Sequence, residues 1–249
     1  MIKYGFIIAL IFLNACSHGQ IKYADKPIEH ITWDELLREH VSSDGHVNYE
    51  GFIADSTKLN TYLNLLSNNH PKPATWAKNE QLAYWINAYN AFTVKLILNH
   101  YPLKSIKAIK TINIPFVNTP WHIKFFQLGG VDYNLDIIEH DILRKQYDEP
   151  RIHFAINCAS KSCPDLRNEA YTADKIEKQL TEQAVTFINS PQKNSISPSQ
   201  VELSKLFSWF KADFTKQGSL IEYINKYSNI MVTHGAKIKY KKYDWRLNN

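Results

Sequence analysis

Two cysteines, a histidine, an asparagine and an arginine lie within the fourteen residues RIHFAINCASKSCP, positions 151–164. A cysteine thiolate is a strong nucleophile, histidine is the usual general base near neutral pH, and arginine binds carboxylates or phosphates. The alternation of polar and apolar side chains predicts a β-strand with Arg151, His153 and Asn157 on its polar face. We therefore expect this segment to line a polar ligand-binding cleft.

Several interpretations are open for Cys158 and Cys163. In an oxidising compartment two nearby cysteines form a disulfide by default. Alternatively, one of them is a reduced nucleophile for acyl transfer at peptide or amide bonds, with His153 or His140 as its base. These four side chains could also bind zinc, but Cys-x4-Cys is not a usual zinc spacing, so we predict no metal and no cofactor. Free thiols without a function are the remaining interpretation.

A long apolar helix is predicted at 78–99, where it ends before Pro102. Asn87 and Asn90 lie within this apolar sequence, and a buried asparagine must find hydrogen-bond partners. They either bond to neighbouring backbone and fix the packing of the helix, or they bind a ligand together with Arg151 and Asn157. Both interpretations stay open at this stage.

A second helix is predicted at 135–146, with Asn134 as its N-cap. Asp136, His140 and Arg144 recur every four residues and therefore share one face of this helix. An acid one turn before a histidine can orient the imidazole ring and raise its basicity. Such pairs also occur on helix surfaces without any function, so His140 is a candidate for either role.

The remaining elements are short and mixed in type. Gly129-Gly130 predicts a tight hairpin turn between strands at 123–128 and 131–133. Further helices are predicted at 31–41, 55–66, 172–189, 207–213 and 220–227, and further strands at 195–197, 201–203 and from 237 onward. This pattern predicts an α+β fold: one helix-rich domain, 27–249, with a small, mainly antiparallel sheet packed on the long buried helix.

The first sixteen residues resemble a bacterial lipoprotein signal. Lys3 precedes a short apolar run that ends at Ala15-Cys16, and this run is too short to span a bilayer. The resemblance implies removal of 1–15, acylation of Cys16 and a tether at 16–26. We therefore expect a protein that is lipid-anchored in the outer membrane and faces the periplasm.

Composition restricts the class of protein further. Hydrophobic residues make up 44% of the sequence and aromatic residues 13%, which is typical of a folded chain and not of a disordered one. The net charge of +5 is too small to indicate nucleic-acid binding. The expected partners are the membrane, through the lipid, and a small molecule or an envelope peptide.

Four stretches of the chain together resemble the family called domain of unknown function 547. They are AYWINAYNAFTVKLI at 83–97, LDIIEHDILR at 135–144, RIHFAINCASKSCPDLRNEAYTA at 151–173 and KYDWRLN at 242–248. The resemblance implies a fold and a set of candidate residues, but no activity, because the family has no agreed catalytic residues. Three functions stay open: a binding protein with a polar cleft, a cysteine-dependent hydrolase or acyltransferase, and a scaffold that docks envelope proteins.

Overall fold

A long helix, α4 (Lys78–Leu98), lies at the centre of the computed structural model, which describes residues 20–111 and 119–249 of the chain. The Glu80 carboxylate accepts the Ala77 N–H at its start, at 2.6 Å. Every residue from 82 to 94 is buried, as expected of a helix that is apolar around most of its circumference. The prediction of a central buried helix is confirmed.

The other helices surround α4 or lie near the C-terminus. A π-helix at Ile137–Leu143 runs directly into a short α-helix at Arg144–Gln146, and 3-10 turns occur at Ile106–Ala108 and Pro120–His122. The remaining helices are α1 (Ile31–His40), α2 (Tyr49–Ala54), α3 (Ser56–Asn68), α5 (Arg144–Gln146), α6 (Ile152–Ala155), α7 (Ile176–Asn189), α8 (Leu206–Trp209), α9 (Lys211–Phe214) and α10 (Leu220–Asn225).

The strands are short and form three small sheets in the described residues. They are β1 (Tyr23–Ala24), β2 (His70–Pro71), β3 (Phe126–Leu128), β4 (Val131–Tyr133), β5 (Ser195–Ile196), β6 (Gln200–Leu203) and β7 (Lys237–Tyr240). The helix-rich α+β class is confirmed. A mainly antiparallel sheet was predicted, but only half of the strand pairs are antiparallel in the described residues. The pairs β3–β4 and β5–β6 are antiparallel, whereas β1–β2 and β6–β7 are parallel.

The β3–β4 hairpin packs on α4 as predicted. Gly129 and Gly130 form its turn with φ angles of 60° and 81°, values that glycine adopts without steric cost. The Phe126 ring stacks on Phe92 of α4, with ring centroids 3.7 Å apart. The β5–β6–β7 sheet belongs instead to a second hydrophobic core.

Two hydrophobic cores meet at α6. The larger core surrounds α4 and includes Ile152 and Ala155 of α6. The smaller one is rich in phenylalanine and contains Phe154 of α6 together with Phe187 and Phe207. Because α6 contributes to both cores, the segment that follows it is held firmly between them.

The prediction of a strand at 151–158 is wrong. His153 N–H donates to the Pro150 carbonyl and Phe154 N–H donates to the Arg151 carbonyl, which closes helical turns. The segment therefore forms the helix Ile152–Ala155 and not a strand. Over so few residues, alternating polarity cannot distinguish a strand from one buried helical turn.

Residues 22–24 of the predicted tether at 16–26 pair with the folded part of the chain. Tyr23–Ala24 pairs with His70–Pro71 as β1 and β2, and the Lys22 N–H donates to the Gly129 carbonyl at 2.8 Å. The signal peptide at 1–15 and Cys16 lie outside the described residues. Within 20–111 and 119–249, no helix combines the length and apolar composition needed to cross a lipid bilayer.

Candidate active site

A cavity of about 270 Å³ lies where the two cores meet. Four of the residues predicted to be catalytic line it: Cys158, Cys163, His153 and His140. Carboxylates and aromatic rings complete the lining, and the main contributors are Tyr89, Trp121, Glu139, Trp209, Tyr243 and Trp245. The cavity thus brings a thiol, imidazoles and a buried carboxyl together against an apolar wall.

Two asparagines build the loop that carries Cys158. The Asn90 side chain on α4 donates to the Ala155 carbonyl at 2.9 Å and accepts the Asn157 N–H at 2.8 Å. The Asn157 carboxamide accepts the Ala159 N–H and donates to the Pro164 carbonyl. These bonds hold Ala159 at φ 59°, a left-handed conformation that is unfavourable for alanine. The turn is therefore fixed by side-chain amides.

The prediction that Asn87, Asn90 and Asn157 bind a ligand is not supported. Asn87 exchanges two hydrogen bonds with the backbone of Tyr171, and all three asparagines are buried and do not line the cavity. Their amides are already bonded to backbone, so they have the structural role that the sequence left open.

Replacing Asn90 with alanine is expected to destabilise the fold by roughly 3 kcal/mol, because the buried Ala155 carbonyl and Asn157 N–H each lose their partner. Urea unfolding measures the loss. Asn64→Ala, at an exposed position on α3, serves as the control and should change stability by less than about 0.5 kcal/mol. Equal stability of the two variants would contradict the structural role of Asn90.

Arg151 also lies away from the cavity. Its guanidinium pairs with Glu149 and, at 2.8 Å, with Glu177, and it donates to the Thr181 hydroxyl at 2.8 Å. With both carboxylates in place the charge is neutralised and the donors are occupied. The predicted binding of a ligand carboxylate or phosphate by Arg151 is therefore not supported.

The two cysteines are free thiols, so the predicted disulfide is not formed in this structure. The Cys158 N–H donates to the Cys163 sulfur at 2.9 Å. Cys163 is buried, whereas Cys158 is partly exposed in the cavity. The short loop thus holds the two thiols close together without linking them.

The sulfur of Cys158 lies within 3.2 Å of the Ser160 hydroxyl and 3.3 Å of the Tyr243 hydroxyl. When the sulfur is a thiolate, both hydroxyls can donate to it. A hydrogen bond from the Cys163 thiol, followed by those from Ser160 and Tyr243, lowers the pKa of Cys158 to about 7 against the opposing effect of burial. Burial raises the pKa of Cys163 well above its ordinary value. Cys158 is therefore the thiol prepared to ionise.

Tyr243→Phe should raise the pKa of Cys158 and slow its alkylation at pH 7 about tenfold, because one hydrogen bond to the thiolate is lost. Alkylation with iodoacetamide, quenched at a series of times and followed by peptide mass spectrometry, measures this rate. Tyr240→Phe removes a hydroxyl from β7 instead and should leave the rate unchanged. An unaltered rate in Tyr243→Phe would show that this hydroxyl does not stabilise the thiolate.

His153 is held by Asp213, a residue that the sequence did not single out. The His153 Nε2 lies 2.7 Å from the Asp213 carboxylate, which also binds the Arg144 guanidinium at 2.6 Å. Burial alone would raise the pKa of Asp213, but the hydrogen bonds from His153 and Arg144 hold it well below its usual range. Burial lowers the pKa of His153. A neutral ring that donates from Nε2 leaves the Nδ1 lone pair free, and Nδ1 is buried without a partner.

His140 is less suited to act as a base. Its Nδ1 lies 2.7 Å from the Arg144 guanidinium, and because arginine can only donate, this nitrogen must accept. The neutral ring then carries its proton on Nε2, which lies 3.6 Å from Asp136. The predicted contacts along this face are confirmed, but the ring's lone pair, on Nδ1, is occupied by Arg144. His153 differs from His140 in that its Nδ1 has no partner, but this nitrogen is shielded from solvent.

Glu139 is the buried acid of the cavity. It lies on the π-helix next to His140, and π-helical turns are frequent at functional sites. Burial raises the pKa of Glu139 to about 7. The Tyr89 hydroxyl donates to its carboxylate at 3.2 Å and in turn accepts the Trp121 indole N–H at 3.2 Å. Near neutral pH this carboxyl can therefore both donate and accept a proton.

The sequence pointed to the cysteines and histidines of the site but missed most of their partners. Tyr243 and Trp245 lie in the KYDWRLN stretch. The family resemblance therefore pointed to this stretch, although the spacing of its residues gave no role to either side chain. Ser160 and Glu139 are next to recognised candidates in two other stretches. Asp213 lies outside all four stretches, and only the fold brings it to His153.

Comparison with known proteins supports the resemblance noted in the sequence. Residues 73–188 match the model of the family described as Protein of unknown function, DUF547. This range contains α4, the hairpin, the π-helix, the Cys158 loop and all but the last residue of α7. No curated protein and no solved structure matched the chain. The chain is therefore similar, over residues 73–188, to the DUF547 family of proteins of unknown function.

Proposed function

We propose that this protein is a cysteine-dependent acyltransferase or hydrolase with Cys158 as its nucleophile. The observation that carries the proposal is the placement of a partly exposed thiol against two hydroxyls, in a cavity that also contains His153 and Glu139. Nucleophilic catalysis by cysteine needs a stabilised thiolate and a nearby proton donor and acceptor. These parts lie together in the cavity.

In the first step the Cys158 thiolate attacks a substrate carbonyl, and the leaving amine, alcohol or thiol departs as a thioester forms. Glu139 in its protonated form supplies the proton that the leaving group needs. In the second step the Glu139 carboxylate left by the first step accepts a proton from water or from an acceptor substrate, which attacks the thioester and releases Cys158.

The lining of the cavity favours a substrate with an apolar or aromatic acyl group. Trp245 lies at the centre of an aromatic wall, with its ring centroid 4.5 Å from that of Tyr243, 5.8 Å from that of Trp209 and 5.9 Å from that of Trp121. Trp209 is 47% exposed at the edge of this wall. Flat apolar surfaces bind rings and acyl chains through burial and stacking.

The test uses p-nitrophenyl phenylacetate, an activated aromatic ester, with the full chain at pH 7. We expect a transient phenylacetyl adduct on Cys158, seen by peptide mass spectrometry and cleaved by neutral hydroxylamine, as a thioester is. Cys163→Ala should retain the adduct. An adduct on another residue, or none although Cys158 is rapidly alkylated, would refute acyl transfer and favour a binding function for the cavity.

We also propose that the protein works in the bacterial envelope, anchored to the outer membrane through acylated Cys16. The support is the short apolar run that ends at Ala15-Cys16. Cys16→Ala should move the protein from the membrane fraction to the soluble fraction of the cell. If the variant stays with the membrane fraction, the lipid anchor is refuted.

A further inference from the structure

Cys158 has a second thiol within reach, and acyl transfer by Cys158 does not need it. The Cys163 sulfur accepts the Cys158 N–H at 2.9 Å, which keeps the Cys163 thiol next to Cys158. Cys163 is 4% exposed, whereas Cys158 is open to the cavity. The Cys158 sulfur is therefore accessible to small molecules from the cavity, while the Cys163 sulfur is buried beside Cys158 and the Ile156 carbonyl.

The loop between the two cysteines keeps this arrangement. Lys193 donates to the carbonyls of Lys161 and Cys163, each at 2.6 Å, and its side chain is 10% exposed. Asn157 fixes the start of the loop, as described above. A second sulfur is thus held next to the reactive one by bonds that do not involve the cavity.

We propose that Cys158 and Cys163 form a hydroperoxide-reducing pair, in which Cys158 is the attacking thiolate and Cys163 is the resolving thiol. The Cys158 thiolate attacks the distal oxygen of a hydroperoxide, the O–O bond breaks, and the alkoxide or hydroxide leaves and takes up a proton. Cys158 is then a sulfenic acid. The Cys163 thiol attacks its sulfur, a disulfide forms and water leaves. Two electrons pass from the two thiols to the peroxide.

This reaction would preserve the nucleophile. An accessible thiolate without a resolving partner proceeds from sulfenic to sulfinic acid, which thiols do not reduce. A disulfide with Cys163 returns to two thiols when it is reduced. The inference needs the Cys158 thiolate but not acyl transfer, so either proposal can fail while the other holds.

The test treats the full chain with hydrogen peroxide at pH 7 and maps the products after trypsin digestion without reduction. Trypsin cleaves after Lys161, so the cysteines fall in separate peptides, 152–161 and 162–167. We expect a disulfide-linked pair of these peptides, which dithiothreitol separates while it restores alkylation of Cys158.

Cys163→Ala is the decisive comparison. In this variant we expect Cys158 to be trapped as a sulfenic acid by dimedone, and without dimedone to become sulfinic acid that dithiothreitol does not reverse. Thermal unfolding checks that the variant is folded, and Cys163→Ser provides a second variant if it is not. Sulfinic acid on Cys158 in the unsubstituted protein, with Cys163 unmodified, would overturn the proposal. So would a Cys158 that does not react with peroxide.

Discussion

Of Cys158 and Cys163, only Cys158 is expected to react rapidly with iodoacetamide at pH 7 in the native protein. Replacing Cys158 with alanine should therefore remove this rapid reaction. Cys158 is partly exposed, and its pKa is lowered to about 7 by hydrogen bonds from Cys163, Ser160 and Tyr243. Cys163 is buried and its pKa is raised. Because only the thiolate reacts, we expect the two thiols to differ in rate by about a hundredfold or more.

The matched variant is Cys163→Ala, which should keep rapid alkylation of Cys158. Its rate should fall moderately, because one hydrogen bond to the thiolate is lost. Peptide mass spectrometry assigns each label to its cysteine, so Cys16 does not interfere. Rapid labelling of Cys163 in the Cys158→Ala variant would show that the reactive thiol is not Cys158 alone. If neither Cys158 nor Cys163 of the unsubstituted protein is labelled before reduction, the two residues form a disulfide.

Glu139→Gln changes the free energy of unfolding by an amount that depends on pH. We expect this change to be more stabilising at pH 8 than at pH 4 by roughly 3 kcal/mol. Burial raises the pKa of Glu139 from 4.5 to about 7. Below pH 4.5 the carboxyl is protonated in both the folded and the unfolded chain. Between pH 4.5 and 7 the unfolded chain ionises first, so the free energy of unfolding falls as the pH rises. Above pH 7 the loss is complete.

Glutamine has nearly the same shape as glutamic acid and stays neutral, so this pH dependence should disappear in the variant. Urea unfolding at several pH values measures it, and the difference between the two proteins cancels contributions from other titrating groups. Glu50→Gln, at an exposed position on α2, is the control. Parallel stability curves for the unsubstituted protein and Glu139→Gln would contradict the raised pKa.

The sequence predicted the parts of the fold that depend on strong local signals. The long helix was evident because an extended apolar run ends before Pro102, and the hairpin because paired glycines suit a tight turn. The helical turn at Ile152–Ala155 was missed because its stability comes from two cores on either side of it. Local polarity cannot report such packing.

The candidate site shows the same division. Cysteine and histidine are recognisable as reactive side chains wherever they occur, so Cys158 and His153 could be proposed from the sequence. The state of each depends on contacts that are distant along the chain. Tyr243 reaches Cys158 from 85 residues away, and Asp213 reaches His153 from 60. Arg151, which looked like a ligand anchor, is occupied by carboxylates that the fold places around it.

The most direct test of a thiolate at Cys158 is the rate of its alkylation by iodoacetamide as a function of pH, followed by peptide mass spectrometry without prior reduction. If the cavity stabilises the thiolate as described, the rate rises with a midpoint near pH 7 and Cys163 stays unlabelled. A midpoint at about 8.5, the value of an ordinary cysteine, would show that the cavity does not activate Cys158. If Cys158 reacts only after reduction, it is held in a disulfide and is not the free nucleophile described here.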